Sequence, residues 1–346
     1  MEKVLFDFDD ILIEPAPVSK INTRSEINIY YSNQNLPLMT APMDTVISEE
    51  NLNMFKELKI VPVLPRIPNP GLDYIETSHF LSYSLQDFEK LFLDETILIS
   101  QNEKVFALID VANGHMEKLH RSAKFAKEKY GDSLCLMIGN VANPKTFENL
   151  CKIGVDFVRI GIGNGNGCLT TVQTGVGYPM ASLISECFEL KTKNDYKTGI
   201  VADGGFKKYS DIIKALALGS DYVMLGSIFN KALQSAGETT KEDGETIDQY
   251  SSSAMRMFQL DIPLFKVFRG MSTKDVQKMW GKEDLTTSEG VVRKNEVEYT
   301  LDGWVRNFED YLRSAMSYTG KKELLQFIGG VNYNRITLNS YKRFDK

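Results

Sequence analysis

The sequence predicts a (β/α)8 barrel, and three observations predict it. Eight short apolar runs, rich in β-branched residues, alternate with segments of helical period. The runs are continuously apolar, as strands buried on both faces require, and such strands belong to a parallel sheet. Nearly every run ends in small or polar residues, and a barrel gathers its strand ends on one rim, where active sites form.

In chain order the candidate strands are PLMTAPMDT (37–45), IVPVLPR (60–66), HFLSYSL (79–85), VFALIDVANG (105–114), LCLMIGN (134–140), DFVRIGIG (156–163), GIVADGG (199–205) and DYVMLGS (221–227). ETILIS (95–100) competes with 79–85 for the third place. It leaves too few residues before VFALID for a parallel crossover, which needs about a dozen or more, so the earlier run is preferred. QDFEKLFLDE, MEKLHRSAKFAKEKYG and KKYSDIIKALALG carry helical period. The strand ends offer Asp44, Arg66, Asp110–Asn113–Gly114, Gly139–Asn140, Gly161–Gly167, Asp203–Gly204–Gly205 and Gly226–Ser227. Beyond the eighth strand, 235–253 is polar and without strong period, and reads as a loop or partly mobile flap. A second flap element is expected over 268–290, and 308–327 reads as a helix, a glycine break and another helix. The expectation is one barrel domain over 1–346, with flap elements at about 235–290.

Composition narrows the function classes. The chain has 346 residues, 42% hydrophobic and 25% charged, which suits a soluble protein with a sizeable core. Its formal net charge of −6 and scattered basic residues argue against a general binder of nucleic acid or acidic membrane. No run approaches the ~20 apolar residues of a membrane helix. The start, MEKVLFDFDD, is acidic and lacks a leader pattern, so a cytoplasmic setting with reduced thiols is expected. Cys135, Cys151 and Cys187 lie in strand or helix patterns and read as small buried hydrophobes.

Cys168 is different. It sits in GIGNGNGCLTTVQTGVGYP (161–179), which holds six glycines and has no apolar face. Such a loop lets backbone approach a ligand closely. A thiolate is a strong nucleophile, helped by nearby amides or positive charge, and loop carbonyls can ligate a hard cation. An inert loop cysteine is the plain alternative.

The chain resembles the IMP dehydrogenase/GMP reductase family over almost its whole length. The resemblance is carried, in order, by FDFDDILIEP, APMDTV, DVANGH, GNVANP, GIGNGNGCLTT with TGVGYP, VADGG, VMLGS, RGMS, SEG and SAMSYTG. Family members are (β/α)8 barrels that usually form homotetramers. Three features resemble the reductases. Residues 66–79 leave no room for the regulatory domains that dehydrogenases insert there. Asn113 stands in DVANG. The flap stretch DVQKMWGKED lacks the Arg–Tyr pair with which dehydrogenases activate water.

The resemblance implies an NADPH-dependent conversion of GMP to IMP and ammonia. Cys168 would attack purine C2, with Thr170 and Glu289 handling the proton of the leaving amine. It places the nucleotide phosphate and ribose at Asn166, Asp203, Gly204, Gly205, Gly226 and Ser227. Gly270, Met271, Ser272 and Gly290 would face the base. The dinucleotide would lie on Arg66, Asp110, Val111 and Ala112, with Thr23, Arg24, Ser314 and Tyr318 completing it, Thr23 and Arg24 from a neighbouring subunit. Potassium would be held by the carbonyls of Gly163, Gly165 and Cys168.

The chain departs from the family pattern at Asn166 (a serine elsewhere), Thr171 and Thr286 (arginines in reductases), Arg66 (a lysine) and an insertion at 240–262. Two other readings stay open: an IMP dehydrogenase without regulatory domains, converting IMP to XMP with NAD, and a barrel that binds purine nucleotide without turnover.

Overall fold

The protein is described by a computed structural model at residues 4–71, 75–94, 99, 103–280 and 290–344. Eight parallel strands form its centre. They are β1 Leu38–Thr40, β2 Val63–Leu64, β3 Phe80–Tyr83, β4 Val105–Asp110, β5 Leu134–Val141, β6 Phe157–Ile160, β7 Gly199–Asp203 and β8 Tyr222–Leu225. Seven lie inside the runs expected from sequence, and β5 extends one residue past its run, to Val141. The order is β1-β8-β7-β6-β5-β4-β3-β2. Closure comes from the segment leading into β2: Thr40 N donates to Val61 O (3.1 Å) and Val61 N to Leu38 O (3.0 Å). The third strand is 79–85's Phe80–Tyr83; of ETILIS, only Ile99 falls among the described residues.

Period two explains how the barrel interior is filled. Successive inward positions run Phe106–Leu108–Asp110 on β4, Cys135–Met137–Gly139 on β5, Phe157–Arg159 on β6, Gly199–Val201–Asp203 on β7 and Tyr222–Met224 on β8. Apolar side chains fill the lower layers; polar or small ones take over at the strands' carboxyl ends. Outside, the helices lay apolar stripes on the sheet. Helix α1 (Glu117–Tyr130) buries Leu119, Ala123 and Ala126. Helix α2 (Pro144–Ile153) shows why such a segment begins and ends where it does. Asn143 caps it by accepting from Lys145 N (2.8 Å), and Pro144 opens it. Gly154, left-handed at φ +85°, closes it. Helices α3 (Met180–Lys193) and α4 (Tyr209–Leu218) complete that wall.

The polar stretch after β8 departs from expectation. Residues 235–253 are not a featureless loop. They contribute β9 (Thr239–Lys241) and β10 (Thr246–Ile247) to an antiparallel sheet, ordered β10-β9-β11-β12, with β11 Leu264–Arg269 and β12 Val292–Glu296. Helix α5 (Ser252–Gln259) follows, its Ser251 cap accepting from Ala254 N at 3.1 Å. Strands of two or three residues are too short to show periodicity, and threonine and lysine fill buried positions here, so the sequence signal was absent. Part of the second expected flap, 268–290, is also regular: β11 ends in it and helix α6 (Lys274–Met279) lies within it. Helix α7 (Leu301–Tyr318), a break at Gly320 and a short helix Leu324–Phe327 match the sequence reading. Among the described residues, no helix is long and apolar enough to cross a membrane.

Candidate active site

Cys168 lies on the loop between β6 and α3, half-buried, and its thiol donates to Thr170 Oγ1 at 3.2 Å. The other cysteines are buried, as their sequence setting implied. Burial pushes the Cys135 thiol up to about 12 and Cys151 to about 11, and it raises Cys187 as well. A thiol held that high is not a nucleophile at neutral pH. Cys168 alone among the four is placed for chemistry.

Backbone contacts hold the Cys168 loop. Cys168 N donates to Gly165 O (2.9 Å). Val291 N donates to Gly167 O (3.2 Å), Gly270 N to Val291 O (2.9 Å), and Cys168 pairs with Gly290 as an antiparallel bridge. Three chain segments, GNGC, RGMS and the strand after SEG, thus meet backbone to backbone. They meet at glycines, most tightly at Gly270, where an added methyl group would stand 2.4 Å from Gly167 O. A methyl group on Gly290 would stand 3.0 Å from Thr273 Cγ2, and one on Gly167 would stand 2.9 Å from Phe268 Cε1. Met271 and Ser272 follow at this junction, and Ser272 O accepts from Gln277 Nε2 of α6 (3.2 Å). Glu289 lies outside the described residues, as do Thr286 and Ser288.

Thr171 explains the other side of the loop. Its hydroxyl donates to Val176 O (2.7 Å) and lies so close to Gly163, at φ +80°, that a methyl group on Gly163 would overlap it. The residue that departs from the reductase pattern therefore ties the loop's two ends together.

Across the barrel mouth run four charged groups of alternating sign. Arg66 Nε faces Asp110 Oδ2 at 3.3 Å; Asp110 Oδ1 accepts from Arg159 Nη2; Arg159 Nε stands 3.8 Å from Asp203 Oδ2. Asn140 Nδ2 donates to Asp203 Oδ2 (2.8 Å) and to Gly161 O (2.8 Å). Burial raises the Asp203 carboxyl above its ordinary value, and the Arg159 charge and the Asn140 hydrogen bond oppose that rise. Burial likewise pulls Arg66 down while Asp110 holds it up. Above Arg66 the Trp280 indole, at the end of α6, stacks with its centroid 3.5 Å from the guanidinium carbon.

Asn140, one of the strand-end groups noted in the sequence, and Arg159, which was not singled out there, both belong to this site. A charged residue midway along the apolar DFVRIGIG was the available signal for Arg159. Val111 and Ala112 follow Asp110 in a loop zipped to the next one: Val111 N donates to Gly139 O (2.8 Å) and Asn140 N to Val111 O (2.7 Å).

The glycines after β7 lie near the cysteine loop. Gly204 and Gly205 take φ of +88° and +90°, and a methyl group on Gly204 would stand 2.9 Å from Gly165 N. Asn166 and Gly205 line a cavity of about 220 Å³ with Asn164, Lys207 and Asp211. Asp211 spends Oδ2 on the amides of Lys207 (2.9 Å) and Lys208 (3.0 Å). Gly226 and Ser227 do not line that cavity; they begin a one-turn helix, Ser227–Asn230, beside Met43.

Thr23, Arg24, Ser314 and Tyr318 are grouped with one another, not with Cys168. The 3-10 turn Arg24–Glu26 packs on α7, Tyr318 O accepts from Ala16 N (2.9 Å), and Tyr318 is 67% exposed.

A model of the IMP dehydrogenase / GMP reductase domain matches residues 93–343. The chain is similar to a GMP reductase of Lactobacillus acidophilus, 30% identical over 333 residues that cover 92% of this chain and 91% of that protein. It is also similar to a GMP reductase of Yersinia enterocolitica (30% identity; 97% and 96% covered) and to GMP reductase 2 of Homo sapiens (28%; 96% and 95%).

Proposed function

Because the chain belongs to the IMP dehydrogenase / GMP reductase family, we propose that it is an NADPH-dependent GMP reductase, releasing IMP and ammonia. One observation carries the reading: the only half-exposed thiol of the four stands beside a hydroxyl, Thr170, where the lid, the antiparallel sheet β9–β12 with helix α6, meets the barrel rim. Its relatives named GMP reductase match end to end, which fits that assignment better than the dehydrogenase alternative.

In this reading the Cys168 sulfur adds to purine C2 of GMP. The C2–N bond then breaks, and Thr170 with Glu289 delivers the proton that lets the amine leave as ammonia. A reduced dinucleotide held at this site would supply hydride to C2, and Cys168 would then leave as the C–S bond breaks, restoring the thiol. Asp203 accepts from the ribose hydroxyls. Asn166, Gly204, Gly205, Gly226 and Ser227 offer amide donors to the phosphate. Gly270, Met271, Ser272 and Gly290 cover the base. Arg66, Asp110, Val111 and Ala112 receive the nicotinamide end. Thr23, Arg24, Ser314 and Tyr318 form a separate patch, so they serve the dinucleotide of a neighbouring chain in a homotetramer. Gly163, Gly165 and Cys168 fit a potassium ion in donor chemistry: all offer neutral carbonyl oxygens on a loop whose Gly163 takes positive φ. The ion would supply positive charge beside the cysteine loop.

The test is direct. Protein, GMP and NADPH should show loss of reduced-nicotinamide absorbance matched by ammonia release, and Cys168→Ala should not. Turnover of IMP with NAD in place of this reaction would reject the reductase and favour the dehydrogenase. Nucleotide binding without either reaction would favour the non-catalytic barrel.

A further inference from the structure

We propose that Arg159 is a positioning residue: it holds Asp110 and Asp203 in acceptor geometry across the barrel mouth, and ribose recognition by Asp203 depends on it. The proposal rests on the reading of Asp203 given above.

Arg159 is 4% exposed and enters a barrel interior otherwise made of Leu108, Met137, Val201 and Met224, with Nη1 3.8 Å from Met224 Sδ. An arginine there costs more than a packed hydrophobe of similar size, because a buried ion loses its water. The fold nevertheless makes room for it. Its neighbour on β5 is Gly139, where any side chain would overlap Arg159 Cβ. A charge that burdens the core, accommodated by a dedicated gap, calls for a role at the rim.

The geometry shows that role. The guanidinium divides between two strand ends that do not touch each other, Asp110 on β4 and Asp203 on β7. It pairs with Asp110 through Nη2, while Nε is buried without a hydrogen-bond partner and points its charge at Asp203 from 3.8 Å. Asn140 and Arg159 both address Oδ2 of Asp203; among the described residues Oδ1 has no hydrogen-bond partner. One oxygen is thereby fixed from below, and the other is left for a ligand. A carboxylate so oriented suits a pair of vicinal hydroxyls. Asp110, held between Arg66 and Arg159, is fixed in the same way on the opposite side. Lysine cannot replace this arrangement, because a single ammonium lacks the fork that reaches two carboxylates.

The experiment measures binding of GMP and 2′-deoxy-GMP by titration calorimetry, without dinucleotide, to wild type, Arg159→Lys, Asp110→Asn and Arg159→Met/Asp110→Asn. The double variant removes the buried pair together, which guards against loss of fold from an orphaned charge; melting curves confirm that each variant is folded. Wild type should prefer the ribonucleotide, and Asp110→Asn measures what loss of the Asp110 carboxylate alone contributes to the double variant. Arg159→Lys should lower that preference about tenfold, the scale of one hydrogen bond to a charged group, and the double variant should abolish it. An unchanged preference in the folded Arg159 variants overturns the proposal, as does a wild type that binds both nucleotides equally. A wild type that binds no purine nucleotide overturns the reading of the site itself, and the inference falls with it.

Discussion

Lys266 offers the sharpest test of the lid's construction. It lies on β11, fully buried, and donates to two carbonyls, Ser235 O (2.8 Å) and Gly237 O (3.1 Å). Burial lowers its pKa from the ordinary 10.5 to about 7, and no charged neighbour counters that effect. A neutral amine keeps two N–H donors, enough for both carbonyls. The unfolded chain binds the proton more tightly than the folded one. Below pH ~7 folding therefore bears the whole cost of burying the charge, and stability rises as pH climbs from ~7 toward 10.5. The gap from 10.5 to about 7, at ~1.4 kcal/mol per pH unit, amounts to ~5 kcal/mol, of which ~4 is recovered between pH 6 and 10. Lys266→Met removes the titration and orphans two carbonyls, each at ~1–3 kcal/mol. At pH 6 the two effects roughly cancel. At pH 10 only the orphaned carbonyls remain, and the variant should be clearly the weaker. Urea unfolding of both proteins at pH 6, 7, 8, 9 and 10, taken as a difference, cancels every other titrating group. The difference should swing toward wild type by ~4 kcal/mol. A swing below ~1 kcal/mol would refute a buried, unpaired ammonium at this position.

Three further outcomes follow from the same geometry. Alkylation of the native protein with iodoacetamide, mapped by mass spectrometry, should label Cys168 first and leave Cys135, Cys151 and Cys187 unmodified; equal labelling of Cys151 would contradict the burial described. Gly163→Ala should abolish turnover while retaining most of the barrel's stability, because the added methyl overlaps Thr171 and the left-handed backbone adds ~1–2 kcal/mol of local strain; normal kcat in that variant would show that the loop is not so tightly tied. Of the two tryptophans, Trp304 is buried in the core and Trp280 stacks on Arg66, so Arg66→Gln should shift the emission of Trp280 to the red and raise its quenching by acrylamide several-fold, with Trp280→Phe as the blank. An unaltered spectrum would mean the stack does not hold α6 in solution.

The barrel was legible because its signal is repeated: eight apolar runs, nearly all ending in glycine or a polar group, leave few alternatives once β and α alternate. The cysteine loop was legible for the opposite reason, since nothing in a packed core needs six glycines and a thiol within nineteen residues. What the sequence hid was anything made by meeting. Thr171 reads as an ordinary loop hydroxyl until Gly163 and Val176 are seen on either side of it. Trp280 reads as a stray aromatic until Arg66 lies under it. The small sheet of the lid was hidden because its strands are two to six residues long and its buried positions hold Thr239 and Lys266, the latter satisfied only by the carbonyls of Ser235 and Gly237 some thirty residues away.

Those meetings also explain how the lid and the barrel are joined around one rim. The lid reaches the cysteine loop through glycine backbone, at Gly167, Gly270 and Gly290, with Gly270 packed directly against Gly167 O. It reaches the opposite rim through Trp280 on Arg66, and Arg66 is the first of the charges that lead by way of Asp110 and Arg159 to Asp203. It reaches the first strand's loop through Arg269 and Asp44, an ion pair one residue before Gly270. Helix α6 is thus anchored at both ends, on the Cys168 side by backbone and on the other by a stacked cation. A displacement of the lid has to break one of those anchors. The stacked, partly solvated one is the weaker, at ~1–2 kcal/mol, so opening should begin at Trp280 and leave the Cys168 junction intact.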